Sequence, residues 1–551
     1  MSAPDPGPAA PRPGLRLVRG DEPAGRAETA ENLAARPAPP SLGELADARG
    51  ARRRAIEDGD ERAVERRHGN GRLTARERLD LLLDPGSFTA IDTFRRGSAR
   101  GPKLTTPETD GVVAGSGTVG GQRVFVFAQD ATVLGGSLGA AHAATIHKVM
   151  DLAVATGSPL IGLHDSGGAR IQEGVAALDG YGGIFRRSVA ASGVIPQIAV
   201  LLGPCAGGAA YAPALADVVV MVRDVTRMYL TGPDVVRQVT GAEVTHEELG
   251  GAAMHGERTG LAHVVADDEE TALADVRTLV GLLPPSNADP APVRAVVPED
   301  HARPRLRDIV PTDGAVPYDV TDVIAEIVDG GDHFELSEDF APNVVTTLAR
   351  VAGELVGIVA NQPAVLAGVL DRAASEKAAR FVRFCDAFGV PLLSLVDVPG
   401  FLPGLDQEHQ AVIRHGAQLL YAYCEATVPR IGVVLRKAYG GAYIVMDSRS
   451  LGCDLALAWP TNEVAVLGAP SAVDVLFRRE LASSDDPDQL RREYEHSYRE
   501  RYLHPDHAAE QGLVDDVIDP AATRSVIVEG LAMLRGKRAD RPARKHGNVP
   551  L

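Results

Sequence analysis

Two glycine-rich turns are the residues best placed by type and spacing to do chemistry. Gly207-Gly208-Ala209 follows the apolar run at residues 195–202, and Gly440-Gly441-Ala442 follows the apolar run at residues 428–435. An apolar run that ends in a glycine pair predicts a buried strand turning into a helix. The first N–H groups of a helix have no partner within it, and glycine places no Cβ in their way. Each turn is therefore a candidate oxyanion site built from preorganised backbone donors.

The two turns belong to an internal repeat. A shift of 232 residues aligns residues 121–165 with residues 353–397 without a gap. One residue of slippage later, Gly208 aligns with Gly441. A period of this length indicates two fused domains of one fold rather than a solenoid. A single glycine turn would fit an ordinary strand-to-helix connection equally well, and its recurrence at matched positions favours the chemical interpretation.

The segments around the turns predict alternating strands and helices. A hairpin of two strands precedes a helix, and further strands follow at regular spacing. The first half is predicted to contain strands at 110–119, 123–127, 160–164, 196–202 and 218–222 and a helix at 140–156. We expect the second half to repeat this order, which gives an α/β fold of two related domains. Charged helices are expected at 42–67 and 485–504, and Thr74 with Glu77 forms a capping-box pattern before a short helix.

Composition suggests where the domains begin and end. Residues 1–40 are rich in proline and alanine, which predicts a disordered tail. The proline-rich stretch between the two copies of the repeat predicts a linker at 287–316. The N-terminal domain is then expected at 41–286 and the C-terminal domain at 317–551.

Charge and composition exclude several classes of function. The 551 residues carry a net charge of −18 without a basic stripe, so nucleic acid is not an expected partner. The four cysteines form no Cys-x-x-Cys pair, which predicts a reduced cytoplasmic protein without structural zinc. The histidines show no familiar metal-ligand spacing, so no metal is expected. No apolar run is long enough to span a membrane, and the N-terminus lacks the pattern of a signal peptide.

Two motifs suggest a serine hydrolase on first inspection. Ser137 lies in Gly-Gly-Ser-Leu-Gly, which fits the nucleophile elbow, but the repeat places Val369 at the matched position. His164 and Asp165 are adjacent, so on a strand they point to opposite faces and cannot form a relay with one serine. We expect Asp165 to cap the following turn or helix, and Ser137 to lie in a glycine-rich turn.

Several longer stretches resemble one known family. They are 165–174 (DSGGARIQEG), 203–211 (GPCAGGAAY), 374–381 (ASEKAARF), 397–404 (DVPGFLPG), 437–443 (KAYGGAY) and 545–551 (KHGNVPL). Together they resemble the β (carboxyltransferase) subunit of biotin-dependent acyl-CoA carboxylases, the propionyl-CoA and acetyl-CoA carboxylase group of actinobacterial type. The resemblance runs from about residue 45 to the end, apart from the linker.

The resemblance implies a fold, a reaction and roles for the two turns. Each half is expected to have the crotonase-type (ClpP/crotonase) fold. A partner α subunit carboxylates biotin, and this chain transfers the carboxyl group to the α carbon of a short-chain acyl-CoA. The N–H groups of Gly441 and Ala442 are expected to hold the biotin oxyanion, and those of Gly208 and Ala209 the thioester enolate. The further substrate-binding residues implied are Gly167, Gly168, Ala169 and Ile444.

The resemblance also implies partners and leaves alternatives open. Members of the family are typically hexamers whose site lies between the N-half of one chain and the C-half of another, and some use a small ε subunit. Ile444 replaces an aspartate common in propionyl-preferring relatives, so acetyl-CoA, propionyl-CoA or longer acyl-CoAs are all candidate substrates. The alternatives are a biotin-dependent decarboxylase subunit, a serine hydrolase using Ser137, and a non-catalytic scaffold in which Gly208 and Gly441 would tolerate bulky residues.

Overall fold

The computed structural model describes residues 40–97, 108–295, 301–539 and 541–550. It divides into a short N-terminal unit, of which residues 40–55 are described, and a large unit that begins at Ile56. The disordered tail predicted at 1–40 lies outside the described residues except for Pro40. Among the described residues, no helix combines the length and the apolar character needed to cross a membrane.

The first half of the large unit contains one sheet of eight strands. They are β1 (Thr89–Ile91), β2 (Val112–Val119), β3 (Gln122–Gln129), β4 (Leu160–Ser166), β5 (Gln197–Ala206), β6 (Val218–Val222), β7 (Arg227–Tyr229) and β8 (Val264–Ala266). The order across the sheet is β1-β2-β3-β4-β5-β6-β8, and β7 pairs with the end of β5. Strands β1, β2 and β3 are antiparallel, and the pairing from β3 to β8 is parallel.

The second half contains a sheet with the same connectivity. Its strands are β9 (His333–Glu335), β10 (Val344–Val351), β11 (Glu354–Asn361), β12 (Leu392–Val398), β13 (Arg430–Tyr439), β14 (Leu455–Ala458), β15 (Glu463–Ala465) and β16 (Asp516–Val517). The order is β9-β10-β11-β12-β13-β14-β16, and β15 pairs with the end of β13. The α/β class and the repeated order predicted from the sequence are confirmed.

Helices connect the strands and cover the sheets. Those up to the end of the first half are α1 (Leu42–Asp58), α2 (Glu61–Gly69), α3 (Ala75–Leu82), α4 (Ala140–Thr156), α5 (Val175–Ala191), α6 (Gly208–Ala214), α7 (Pro233–Thr240), α8 (His246–Gly250), α9 (Ala252–Met254) and α10 (Glu269–Leu282). Those of the second half are α11 (Leu306–Ile309), α12 (Val320–Ile327), α13 (Arg372–Ala387), α14 (Leu405–His409), α15 (Val412–Glu425), α16 (Gly440–Val445), α17 (Ala469–Leu476), α18 (Arg478–Ser483), α19 (Pro487–Tyr502), α20 (His507–Glu510) and α21 (Thr523–Leu534).

The helix predictions hold with one difference. Helix α4 has the predicted bounds, α19 lies within the predicted charged segment, and Thr74 and Glu77 form the predicted capping box. The charged segment at 42–67 forms two helices instead of one. Gly59 takes a φ of 67°, and the Asp60 side chain accepts a hydrogen bond from the Arg62 N–H, so a new helix begins there.

The repeat is confirmed at the level of strand register. Val119 pairs with Gln122 in the first hairpin, and Val351 pairs with Glu354 in the second, at the predicted shift of 232 residues. Leu160 pairs with Gln197, whereas Leu392 pairs with Arg430. The offset between β5 and β13 is therefore 233 residues, so the single slipped residue lies between the α5 and α15 segments and the strands that follow.

Alternation along each central strand builds cores on both faces of its sheet. On β5, Ile198, Val200 and Leu202 belong to a buried cluster that both halves share, whereas Ala199 and Leu201 face a cluster confined to the first half. On β11, Val359 joins the shared cluster, and its neighbour Ile358 faces a cluster confined to the second half. Parallel strands covered on both faces read as continuous apolar runs, which is why these strands were visible in the sequence.

The two halves are also joined by polar contacts. Arg380 on α13 donates from Nε to His263 Nε2 at 3.0 Å and from Nη2 to the Ala216 carbonyl at 2.7 Å. The Ser337 N–H donates to the His263 carbonyl at 2.7 Å. Part of the predicted linker lies on the second half, where Arg436 Nη1 donates to the Asp313 and Val316 carbonyls at 3.0 and 2.9 Å. The domain boundaries at 286–287 and 316–317 stay predictions.

Candidate functional site

The first glycine turn links β5 directly to α6. Gly207 has a φ of 63°, a conformation that favours glycine, and its N–H donates to the Tyr229 carbonyl at 3.1 Å. Gly208 and Ala209 are the first two residues of α6, so their N–H groups have no acceptor within the helix. Within the described chain, no side chain caps this helix. The turn therefore presents two adjacent backbone donors, as predicted from its sequence.

Close packing explains why residue 208 is a glycine. A Cβ on Gly208 would lie 3.1 Å from Cδ2 of Tyr181, a buried residue of α5. The Tyr181 ring stacks on Phe185 with 6.1 Å between ring centroids, so it has little room to withdraw. Tyr181 forms a rigid wall beside the first turn. The sequence analysis missed this residue, because nothing in the spacing of α5 indicates which of its side chains faces the turn.

The second glycine turn links β13 to α16 in the same way. Gly440 has a φ of 61°, and Gly441 and Ala442 follow it within the first turn of α16. No side chain of the described residues caps α16. A Cβ on Gly441 would have no heavy atom within 4 Å, so this glycine faces open space, whereas Ala442 is fully buried. The two turns thus share their backbone design and differ in the space in front of them.

A hydrogen-bonded tyrosine precedes the second turn. Tyr439 ends β13, and its hydroxyl donates to Glu463 on β15, whose other carboxylate oxygen accepts from Arg499 at 3.0 Å. Burial and the neighbouring carboxylate both raise the pKa of Tyr439, so the hydroxyl stays protonated and continues to donate. This chain of contacts fixes the strand end from which Gly440 turns.

The other predicted substrate residues fall into two groups. Gly167, Gly168 and Ala169 follow β4, and a Cβ on Gly168 would lie 2.9 Å from the Ala206 carbonyl. These three residues therefore lie beside the first turn. Ile444 is on α16, one helical turn beyond Gly440, and is 41% exposed. Each group accompanies one glycine turn, and the two groups belong to different halves of the chain.

Two buried aspartates at equivalent repeat positions hold arginines rather than capping helices. Asp165 Oδ2 accepts from Arg67 at 2.7 Å and from Arg78 at 2.9 Å. Asp397 accepts from Arg436 Nε at 3.0 Å and from the Lys437 N–H at 3.0 Å. The expectation that Asp165 caps the following turn is therefore wrong. The ion pair was missed because Arg67 and Arg78 lie outside the repeat, on α2 and α3.

Ser137 has no partner suited to nucleophilic catalysis. Its Oγ donates to the Leu134 carbonyl at 2.8 Å, and its contact with another side chain is Arg170 Nε at 3.4 Å. A guanidinium is always protonated, so it cannot take the serine proton. Ser137 ends a short turn in which Leu134, Gly135 and Gly136 all have positive φ. The glycine-rich turn that the repeat indicated is what the structure has.

His164 is a buried neutral histidine. Burial lowers its pKa to about 4, and its ring packs edge-on against Phe127 with 5.3 Å between centroids. Because the folded pKa lies below the unfolded value, the stabilisation it reflects is present above about pH 6.5 and is lost as the pH falls. We expect His164→Leu to reduce the loss of unfolding free energy between pH 6 and pH 4.5 by about 2 kcal/mol. Urea denaturation at several pH values measures this, and an unchanged pH dependence would contradict a buried neutral imidazole.

Comparison with known proteins identifies the family. The profile of the carboxyl transferase domain family matches residues 66–549. The chain is 53% identical over 503 residues to the propionyl-CoA carboxylase carboxyltransferase subunit of Haloferax mediterranei, covering 91% of this chain and 98% of that protein. It is 48% identical over 491 residues to the methylmalonyl-CoA decarboxylase subunit alpha of Propionigenium modestum, covering 89% and 95%.

A solved structure agrees with these matches. Transcarboxylase 12S, a hexamer solved with methylmalonyl-coenzyme A and methylmalonic acid bound, aligns with a TM-score of 0.90 at 49% identity. The alignment covers 94% of this chain and 100% of that one. The predicted fold class of two tandem crotonase-type α/β domains is confirmed by this similarity. Because the family profile and the high-identity matches extend over nearly the whole large unit, the chain belongs to the carboxyl transferase family.

Proposed function

We propose that this chain transfers a carboxyl group between carboxybiotin and the α carbon of a short-chain acyl-CoA, with propionyl-CoA as the first candidate. The observation that carries the proposal is the pair of glycine turns at equivalent positions of a repeat, each with free backbone donors. The reaction passes through two oxyanions, one on each reactant, and so uses two such sites. The names of relatives that share about half of the sequence supply the acyl-CoA class.

The first half is assigned to the acyl-CoA in this proposal. The N–H groups of Gly208 and Ala209 would hold the thioester oxygen while negative charge develops on it. Gly167 to Ala169 would line the approach, because Gly168 lies close to the end of β5. Tyr181 closes one side of the turn and keeps Gly208 in place. These residues orient the substrate and stabilise charge, and none of them has to act as a base.

The second half is assigned to biotin, and its residues fit that group. Gly441 faces open space that a Cβ would enter, and the N–H groups of Gly441 and Ala442 are not capped. These donors would hold the carbonyl oxygen of the biotin ring. When bound, carboxybiotin supplies the carboxyl group and the base for the α-proton. The chain's own contribution is to hold the two oxygen atoms in fixed places.

Exposed apolar helix faces support assembly into a larger complex. Val175 and Leu178 on α5 are 79% and 58% exposed, and Ile413 on the equivalent helix α15 is 77% exposed. Apolar surface of this kind at matching places in both halves suits pairing of α5 with α15 of a second copy. We propose that this pairing builds the hexamer that the resemblance implies, and that biotin arrives on a partner α subunit or carrier domain. The need for an ε subunit stays a prediction.

An assay with a partner subunit tests the proposal. The chain is mixed with a biotinylated α subunit, ATP and bicarbonate, and carboxylation of acetyl-, propionyl- and butyryl-CoA is measured. Carboxylation of at least one acyl-CoA is the expected result. If an α subunit active with a relative gives no product here, while methylmalonyl-CoA loses its carboxyl group to free biotin, the decarboxylase alternative is correct. The decarboxylase relative at 48% identity makes this second arm necessary.

Ile444 is expected to influence the choice of acyl chain. It lies beside Gly441 and Ala442 and is partly exposed, so it can contact a bound substrate. Each methylene that loses apolar contact costs about 0.8 kcal/mol, or roughly a fourfold change in rate. We therefore expect Ile444→Asp to lower kcat/KM for butyryl-CoA relative to propionyl-CoA by about fourfold. Val475→Asp, on α17 and 63% exposed, is the matched control and should leave this ratio unchanged.

A further inference from the structure

Two histidines and a glutamate converge where α19 meets α20. One nitrogen of His504, one of His507 and one carboxylate oxygen of Glu510 all lie within 4.8 Å of one another. His504 Nε2 is 3.9 Å from Glu510 Oε2, and the two imidazole rings are 5.3 Å apart between centroids. Within the described ranges, this is the group in which three potential metal ligands approach one another.

The backbone that carries these side chains is firmly held. The His507 N–H donates to the His504 carbonyl at 3.0 Å, and the Glu510 N–H donates to the Asp506 carbonyl at 2.8 Å. Asn462 Nδ2 donates to the Pro505 carbonyl at 2.9 Å, which ties the loop between the helices to the β15 end of the second sheet. Leu503 and Ala508 are buried on either side of the loop. Side-chain rotation alone therefore brings the three ligands together, without movement of the backbone.

The donor set is the one that zinc prefers. Two imidazole nitrogens and one carboxylate oxygen, with water in the fourth position, satisfy a tetrahedral Zn²⁺ at distances of roughly 2.0–2.2 Å. Gln511 contacts His507 Nε2 at 2.9 Å through its side-chain amide. A partner on one ring nitrogen fixes the orientation of a histidine and leaves the other nitrogen for the metal.

The same residues have little to do as an ion pair. The Glu510 side chain is 65% exposed, and its distance of 3.9 Å from His504 is at the limit for a salt bridge. Exposed pairs of this kind contribute little to stability. His496 and Glu500 on α19 form a comparable pair at 3.4 Å with no third ligand nearby, so the chain offers an internal comparison.

We propose that His504, His507 and Glu510 bind one Zn²⁺ per chain and fasten the end of α19 to α20. The site is separate from both glycine turns and does not depend on the proposed function. Sequence analysis expected no metal because the ligands lie on a loop and a four-residue helix, where no helical spacing reveals them.

Metal titration of the full chain tests the zinc site. Protein freed of metal with a chelator is titrated with Zn²⁺ by calorimetry and with Co²⁺ by visible absorption. We expect one Zn²⁺ per chain and the intense absorption of tetrahedral Co²⁺. His507→Ala and Glu510→Gln should each weaken Zn²⁺ binding at least about tenfold. The control His496→Ala should bind as the unaltered chain does.

Heating with and without metal provides a second measurement on the same variants. Zn²⁺ should raise the melting temperature of the unaltered chain and of His496→Ala, and should not raise that of His507→Ala. Circular dichroism confirms that each variant is folded before metal is added. The proposal is overturned if the unaltered chain takes up no stoichiometric Zn²⁺, or if His496→Ala weakens binding as much as His507→Ala does.

Discussion

Gly441→Val is expected to slow carboxyl transfer by at least about 100-fold while the chain keeps its fold. A side chain at residue 441 meets no protein atom within 4 Å, so it enters the space in front of the second turn without disturbing the packing. In that space it blocks approach to the Gly441 and Ala442 N–H groups, and loss of one oxyanion donor costs about 10²–10³ in rate. Steady-state carboxylation of propionyl-CoA with the partner α subunit gives the rate, and circular dichroism gives the fold.

The matched control for this variant is Gly281→Val. Gly281 lies on α10, and a Cβ there also has no heavy atom within 4 Å, but the residue is remote from both turns in the chain's repeat. We expect near-normal activity for Gly281→Val. Activity retained in Gly441→Val would remove the second turn from the mechanism and would favour a scaffold role for this half.

Arg78→Met is expected to lower the free energy of unfolding by about 3–5 kcal/mol. The Arg78 side chain is 1% exposed, and its guanidinium pairs with Asp165 at 2.9 Å and with Glu269 at 2.7 Å. Burial by itself would raise the pKa of Glu269, but hydrogen bonds and charge from Arg78 and Arg72 lower it below its usual value. Methionine fills much of the same volume, so most of the loss comes from two buried carboxylates without their cation. Urea denaturation followed by circular dichroism measures it.

An exposed pair provides the comparison for Arg78. Arg237 and Asp234 lie 3.4 Å apart with side chains that are 62% and 96% exposed. Arg237→Met should change the free energy of unfolding by no more than about 0.5 kcal/mol. Equal effects of the two substitutions would show that the Asp165 network is not the buried support described above.

The repeat and the strands were predictable because apolar runs and glycines record them directly. Central parallel strands buried on both faces leave unbroken apolar runs, and the two glycine turns align once the shift is known. The register pairs of the two hairpins then follow from sequence alone. The site residues were predictable as far as backbone donors go, since a glycine pair between strand and helix restricts what the chain can do there.

The residues that support the site were not predictable from the sequence. Tyr181 contacts Gly208 from another helix, and Arg67 and Arg78 reach Asp165 across roughly a hundred residues of chain. Contacts of this kind depend on how helices pack on the sheet, and neither periodicity nor motif encodes them. The zinc ligands escaped detection for the same reason, because His504 and His507 meet only through the turn between two helices.

The arginines on the two equivalent aspartates make the halves unequal as evolutionary modules. Position 436 on β13 is the arginine that holds Asp397, whereas the equivalent position on β5 is Gly203, where a Cβ would collide with Asp165. The first half therefore borrows its cations from α2 and α3. The second copy carries its own counter-ion and could be inherited or recombined as a unit. The first copy cannot be separated from the helices that precede it, so the segment from Glu61 to Leu82 is an integral part of that module rather than an addition to it.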